Sequence, residues 1–358
     1  MNKKKLGTKK GHKTFKFSFV SIITASVILI ILLGVSFFAG QNLLFANTHT
    51  PRPIPSFVNI PVCGIPGLHE ASCLSRVVVN KAGKPQAGSS PYASSYGPSE
   101  FHLGYNLPCT PGGSTNANCL QPSSFGPWTI AIVDAYHTPT IENDLNIYSS
   151  EYNLPSCTKG NGCLRVLDQN GGNNLPTTVN GGWSLEASLD VQIAHAICQT
   201  CKIILFESNS SNFLDLATAV NTAASLNVTA ISNSYGGSEW SSEASYDYYY
   251  NHPGIAVTVS SGDNGYGTEF PAASSGVVAV GGTTLALNSD NSYYTESIWN
   301  GSGSGCSKYE SANSWQTNLS NWGQTGCLLS RGVVDVAADA DPNTGASVYD
   351  STPYNGAT

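Results

Sequence analysis

Glu186 and Asp190 stand four residues apart in Trp183-Ser-Leu-Glu-Ala-Ser-Leu-Asp-Val-Gln-Ile-Ala-His195-Ala-Ile-Cys198, an apolar-periodic run that predicts a helix. That spacing puts both carboxylates on one helix face. Like charges stacked this way repel by roughly a few tenths of a kcal/mol in water and by more in a cleft. Only 11% of the residues are charged, so packing alone is a poor reason to place two acids together. A proton shared between them is the natural relief, and that is acid–base chemistry; a solvated polar face is the alternative.

Other candidates sit where a parallel sheet would place them. Residues 129–134, 201–207, 228–234, 254–260 and 276–281 are apolar runs of strand length, and 140–152 and 212–226 carry helical periodicity. Strands that alternate with helices, each apolar throughout, predict an α/β fold whose mostly parallel central sheet is covered on both faces. Reactive groups in such sheets gather beyond the carboxyl ends of the strands. Asp134, Ser234-Tyr235-Gly236-Gly237 and Ser260-Ser-Gly-Asp263-Asn-Gly265 all follow strands directly. Their glycines let backbone approach a ligand closely, or make ordinary turns.

Seven lysines and no acid precede an uncharged apolar run at 17–40, so residues 1–46 read as an export signal or a membrane anchor. The run is long enough to span a bilayer, while small residues near Ala39, Gly40 and Ala46 suit a signal peptidase. The expected location is extracellular. Those lysines leave nine of the 16 basic residues to face all 23 acidic ones. Such a balance argues against nucleic acid as a partner and against any membrane contact beyond the N-terminus.

Residues 47–95 are rich in Pro, Ser and Gly and read as an extended lead-in, with residues 96–358 as the main domain. The stretch 287–330 reads as a surface excursion. Ten cysteines follow the export segment, which in an oxidising compartment means disulfides. The simplest pairing is sequential: Cys63/Cys73, Cys109/Cys119, Cys157/Cys163, Cys198/Cys201 and Cys306/Cys327. Cys198-Gln-Thr-Cys201 also fits a redox motif, but it ends a helix, and a reactive thiol needs a helix N-terminus to lower its pKa.

Together these motifs resemble one family, the sedolisins or serine-carboxyl peptidases (peptidase S53), in a bacterial secreted form without a large propeptide. The resemblance runs over residues 96–358 through Tyr96-Gly-Pro98, Tyr105-Asn-Leu107, Glu186-x-x-x-Asp190, Ser234-Tyr-Gly236, Ser261-Gly-Asp263-x-Gly265, Phe270-Pro-Ala272, Val280-Gly-Gly-Thr283 and Asp335-Val-Ala through Asp341-Pro-Asn-Thr-Gly345. It implies a subtilisin-like three-layer fold and hydrolysis of polypeptides at acid pH. Glu186 would be the general base toward a serine nucleophile, Asp190 its orienting partner and Asp263 a protonated donor to the oxyanion. Ser234, Tyr235, Gly236 and Gly237 would pair with an extended substrate, with Tyr235 walling a side-chain pocket or simply packing. A carboxylate is a competent base only near its own pKa, and an acid donates to an oxyanion only while protonated. Both conditions favour low pH.

Two departures from the family pattern stand out. The family's Gly-Thr-Ser nucleophile motif does not occur before Thr358, so the fold is expected to be incomplete at its C-terminus and the chain alone inactive. Val280-Gly-Gly-Thr283-Thr284 has no Ser after the Thr and reads as a strand-end turn. The family's calcium site lies beyond the serine, so no cofactor and no metal ligands are assigned here, and calcium belongs to the complete protein. In front, only about fifty residues replace a folded propeptide, and the cysteine pairs are expected to take over part of its role. A monomer is the expected state.

Two further readings remain. Asp134 and His195 suggest a subtilisin-type Asp/His/Ser peptidase, but His195 lies nine residues after Glu186, a rotation of about 180° on a helix, so the two cannot share a site. A truncated relative or pseudoenzyme that binds peptides without cutting them is the non-enzymatic alternative.

Overall fold

The computed structural model describes residues 50–86, 94–107 and 128–354. The proposed export segment, Cys109 and Cys119 lie outside the described residues. Among the described residues no helix is long and apolar enough to cross a membrane.

The lead-in forms strands β1 (Val58–Pro61), β2 (Ser72–Cys73) and β3 (Arg76–Val79), followed by helix α1 (Pro98–Gly104). Then come β4 (Thr129–Ala135), α2 (Ile141–Glu151), β5 (Leu164–Asp168), α3 (Gly181–Ile197), β6 (Lys202–Ser208), α4 (Phe213–Ser225), β7 (Ala230–Asn233) and β8 (Tyr235–Ser238). After a 3-10 turn at Glu243–Tyr249 follow β9 (Ala256–Ser260), β10 (Glu269–Phe270), β11 (Val278–Leu287), β12 (Tyr293–Ile298), the hairpin β13 (Gly305–Ser311) and β14 (Ser330–Val333), and β15 (Val336–Asp339).

The main sheet runs β12-β11-β9-β7-β4-β6-β5, with β15 beside β11. All pairings but β11–β12 are parallel. Side chains alternate across a strand, and that alternation sorts the core into layers. Ile132, Ile203 and Leu205 meet Ile141 and Leu145 of α2 and Ala187 and Val191 of α3. Ala131, Val133, Ile204 and Phe206 share the opposite cluster with Leu216, Ala219 and Val220 of α4. The chain leaves β4 toward β5 and β6 on one side and returns through β7 and β9 on the other. The carboxyl end of β4 is thus the switch point where a crevice opens.

Asparagine caps fix where two helices begin. The Asn180 side chain accepts from the Gly182 and Trp183 amides at the start of α3, and Asn212 accepts from Leu214 at the start of α4. Disulfides join Cys63–Cys73, Cys157–Cys163, Cys198–Cys201 and Cys306–Cys327. Cys198 is the C-cap of α3, and its bond to Cys201 closes the turn into β6.

The region from 276 departs from expectation. Its strand does not stop at Gly281 but continues to Leu287, so Thr283 and Thr284 lie inside β11 and not in a turn. The two glycines explain it: a Cβ on Gly281 would meet Val334 at 2.8 Å, and one on Gly282 would meet Trp299 at 2.8 Å. The bare backbone admits neighbours on both faces and the strand runs on. The excursion at 287–330 is likewise not all surface loop, because it supplies β12 to the main sheet and the disulfide-bearing hairpin β13–β14.

Candidate active site

Helix α3 carries Glu186 and Asp190 to the switch point, and each is bonded on the side that faces the crevice. The Ser75 N–H donates to Glu186 Oε2 at 2.7 Å. The Ser234 hydroxyl donates to Asp190 Oδ1 at 2.9 Å. Asp134, at the end of β4, is buried beneath them with no hydrogen-bond partner for either oxygen among the described residues. Burial raises the Glu186 pKa well above the usual glutamate range, and the Asp190 charge adds to this while Ser75 opposes it. Burial pushes Asp190 up to about 7 against the Ser234 hydrogen bond. Asp134 is raised by burial first, then by Asp190, Glu186 and Glu207. Three acids this close cannot all ionise without water, so the group holds protons that it can pass on.

Strand β8 forms the wall of the crevice. On one edge β10 pairs with it antiparallel, Phe270 opposite Gly237 and Glu269 opposite Ser238. On its other edge lies the lead-in, with Cys73 opposite Tyr235 and Ser72 opposite Gly236. The Leu74 N–H then donates to the Ser234 carbonyl at 3.2 Å. Glycine is required at Gly237, where a Cβ would stand 2.7 Å from the Glu70 carbonyl oxygen, while a Cβ on Gly236 would stand 2.5 Å from Glu269 Oε2 and push that carboxylate aside.

Asp263 enters from the loop after β9. Burial pushes its pKa up to about 7, with Arg76 of the lead-in pulling it down and Glu269 pushing it up. Gly262 beside it takes φ +107°, a conformation open to glycine. A Cβ there would strike the Glu269 carboxyl at 2.8 Å. Glu269 therefore lies over two bare backbones, Gly236 and Gly262, with Oε2 buried and unpaired among the described residues.

Glu186, Asp190, Asp263 and Ser234 are thus brought around one crevice. The other candidates go elsewhere. Tyr235 has its ring fully buried against Trp183, and its hydroxyl donates to Asn233 Oδ1 at 2.9 Å. Of the two readings of Tyr235, these contacts are those of a packed side chain. His195 is also fully buried, its Nε2 paired with the Pro155 carbonyl at 2.8 Å. Thr283 and Thr284 donate their hydroxyls to Glu296 and Asp341.

Sequence reasoning overlooked Glu207 and Glu269. Glu207 ends β6, accepts from His137 Nδ1 at 2.6 Å and from the Thr138 N–H at 3.0 Å, and bears on Asp134. The strand-end rule that picked out Asp134 applies equally to Glu207. Glu269 has no such signal, since the glycines that receive it lie far away in sequence. Among the described residues one trio of His, Cys, Asp or Glu is spaced for a metal, Cys157, Cys163 and His195. Both its sulfurs are spent in a disulfide.

No protein-family model matches the chain. Sedolisin from Pseudomonas sp. (strain 101) is 27% identical over 341 residues, which cover 85% of this chain and 54% of that protein. Kumamolisin from Bacillus sp. (strain MN-32) is 30% identical over 204 residues, 50% of this chain and 37% of its own. The chain spans about half the length, or less, of these curated relatives. A solved structure of Pseudomonas sedolisin, a serine-carboxyl proteinase complexed with two molecules of pseudo-iodotyrostatin, superposes with a TM-score of 0.56 at 26% identity and covers 74% of each chain. The subtilisin-like three-layer α/β fold expected from the sequence is the fold of this chain.

Proposed function

The chain belongs to the sedolisin, or serine-carboxyl peptidase, family, and on that premise we propose that it works as an exported endopeptidase that cuts polypeptides under acid conditions. Glu186 is the general base, Asp190 is its orienting partner, and a protonated Asp263 donates its O–H to the oxyanion. The nucleophile is a serine hydroxyl in sequence beyond Thr358. Substrate lies antiparallel along β8, where main-chain hydrogen bonds give affinity with little demand on sequence.

The observation that carries this reading is the arrangement around β8. Ser234 of the peptide-binding wall is bonded to Asp190, and Glu186, one helical turn away, accepts a hydrogen bond from the backbone that already lies on that wall. Glu186 Oε2, 2.7 Å from the peptide nitrogen that donates to it, lies within the hydrogen-bond distance that general acid–base catalysis requires of backbone on that wall. Asp263, with a pKa of about 7, stays protonated through the acid range, so it can donate to developing negative charge. Calcium in the complete protein would be held outside the described residues, and none of these steps uses it.

The test is hydrolysis of a denatured protein by the full-length gene product from about pH 4, in the ordinary carboxylate range, up to about pH 7, because burial raises Glu186 above that range. Activity there that disappears in Glu186→Gln is the expected result. Undiminished activity in that variant would remove Glu186 from the mechanism.

A further inference from the structure

Beside the loop that carries Asp263 lies a pocket that the reaction described above does not use. It holds about 340 Å³ and is walled by Trp315, Leu319, Trp322 and Tyr266, with Gly332 and the Cys306–Cys327 disulfide in its lining. That volume suits a small ligand or one large side chain, at the lower end of the range of about 300–1,000 Å³ for binding pockets. Its aromatic rings are held from behind. The Trp322 indole N–H donates to the Leu328 carbonyl at 2.8 Å, and a Cβ on Gly332 would meet that ring at 3.0 Å. The Trp315 ring lies 5.5 Å from the guanidinium carbon of Arg331, a fully buried side chain that donates to Asp335.

The polar groups of the floor select what can enter. Gln316 donates from Nε2 to the Gly332 carbonyl at 2.7 Å and accepts from the Gly332 N–H at 3.3 Å. Asp335 accepts from Arg331 Nη1 at 2.7 Å with one oxygen and from the Ala279 N–H at 2.8 Å with the other. These bonds occupy both ends of the Gln316 amide and both Asp335 oxygens. A polar side chain seated there would have to break one of them or stay unpaired, and either is costly. An apolar one leaves them intact and covers aromatic surface already fixed in place, since Trp315 and Tyr266 are half or more exposed.

Position ties the pocket to the reaction. Gly265 donates to the Gly301 carbonyl and Gly267 to the Ser304 carbonyl, each at 2.8 Å, and the Tyr266 ring lies 3.7 Å from where a Cβ on Gly305 would stand. Tyr266 follows Asp263 by three residues, so their α-carbons are at most about 11 Å apart, a distance that an extended peptide covers in about three residues. On its other side the same loop adjoins β8, because Glu269 lies over both Gly262 and Gly236. We propose that this pocket is a specificity subsite for one large apolar side chain of the polypeptide substrate, Phe, Trp or Leu, about three residues from the bond that is cut. This rests on the peptidase reading above and adds the class of side chain that the enzyme selects.

Two measurements on the full-length gene product test the subsite. The first is kcat/KM at acid pH for serine-rich peptides in which a Phe is moved one residue at a time along either side of the cleaved bond. Phe at one position, about three residues from that bond, should raise kcat/KM by about 10-fold or more over Ser, the scale set by burying one aromatic side chain. Tyr266→Ala removes a ring that is 87% exposed; it should take away most of that gain through KM and cut the peptide without Phe as fast as the parent does. Tyr266→Phe should keep the gain, and Leu319→Asp, which puts a charge on the wall, should lose it. The second measurement needs no turnover: in the Glu186→Gln protein the Phe peptide should change tryptophan emission saturably, the peptide without Phe should not, and Tyr266→Ala should weaken the response. Equal kcat/KM at every position, or a gain that both wall variants leave unchanged, would overturn the subsite and leave the peptidase reading standing. Unchanged emission with the Phe peptide would also overturn it, as when sequence beyond Thr358 fills the pocket. If no peptide is cut, the peptidase reading falls and the subsite with it.

Discussion

Two groups of carboxylates lie in this fold without comparable amounts of positive charge around them. Around the switch point stand Glu186, Asp190, Asp134 and Asp263; beside the 3-10 turn stand Glu239, Glu243, Asp247 and Glu310. Burial raises members of both. In the second group Glu243 is pushed up to about 9 and Glu310 to about 7, by burial first and then by neighbouring acids. What separates the groups is the source of their hydrogen bonds. Glu239 accepts from Thr268 and Ser307, Asp247 from Ser274 and Glu243 from the Trp240 amide, all fixed parts of the main domain. Glu186 accepts from the lead-in, and Asp190 from the strand on which the lead-in lies. A raised pKa marks either kind of place. On the peptidase reading proposed above, the acids bonded to the lead-in and to the strand beside it are the reactive ones.

The largest expected effect separates the two groups by activity. Glu186→Gln should lower kcat/KM of the full-length enzyme by about 10³-fold or more, within the range for loss of a general base. Glu243→Gln, which keeps shape and removes one titrating proton, should change it by less than about threefold. Steady-state kinetics on a peptide substrate at acid pH measures both. Comparable losses in the two variants would erase the distinction.

Next in size come the partners of Glu186. Asp263→Asn keeps a donor near the oxyanion and should cost about 10²-fold in kcat, and Asp190→Asn a similar amount through the lost charge beside Glu186. The Asp263 variant should also lose the alkaline limb of its pH profile, because the group that ionises with a pKa of about 7 is gone. An unchanged limb would assign it to another acid.

A third test addresses what the groups share. Acids whose pKa is higher folded than unfolded favour the fold below the unfolded value near pH 4, and that contribution is lost as pH rises through the folded value. For Asp190, Asp263 and Glu310, at about 7 each, the loss falls between about pH 4 and 7; for Glu243, at about 9, it continues further. Each such proton is worth about 1.4 kcal/mol per pH unit over its window. Tm should therefore fall from pH 4 to 8, and Glu310→Gln should flatten the slope without touching activity at pH 4. A Tm that rises over this range would contradict the burial that raises these groups.

Much of the first group was legible because helical spacing and strand ends are local. Four residues on a helix bring Glu186 and Asp190 to one face whatever surrounds them, and Asp134 and Asp263 follow apolar runs whose direction the β/α alternation fixes. The bonds that make the site were not legible. Ser234 reaches Asp190 across 44 residues of sequence, and Ser75 reaches Glu186 across 111. The Cys63–Cys73 spacing predicts a closed loop but says nothing of where that loop docks. The second group was invisible for the same reason, since Glu239 follows β8 and Glu310 lies in β13, on opposite sides of the turn in sequence, and they meet only through tertiary packing. Thr283 shows the converse: a local Gly-Gly reads as a turn until Val334 and Trp299 fill the space that it leaves.

The smallest effect expected concerns Tyr235, which sits between functional and structural roles. Its backbone pairs with Cys73 while its side chain belongs to the core, the hydroxyl bonded to Asn233 and the ring against Trp183. Tyr235→Phe removes one buried hydrogen bond and leaves an unpaired oxygen on Asn233, which should cost about 1–2 kcal/mol of stability. It leaves the backbone of the substrate strand intact, so KM for an extended peptide should move by less than about twofold, against the roughly tenfold shift that losing a pocket contact of 1.4 kcal/mol would bring. Thermal unfolding and steady-state kinetics on the one variant separate the outcomes. A lowered Tm with unchanged KM places Tyr235 with the packing, and a raised KM at unchanged Tm would return its ring to the substrate pocket.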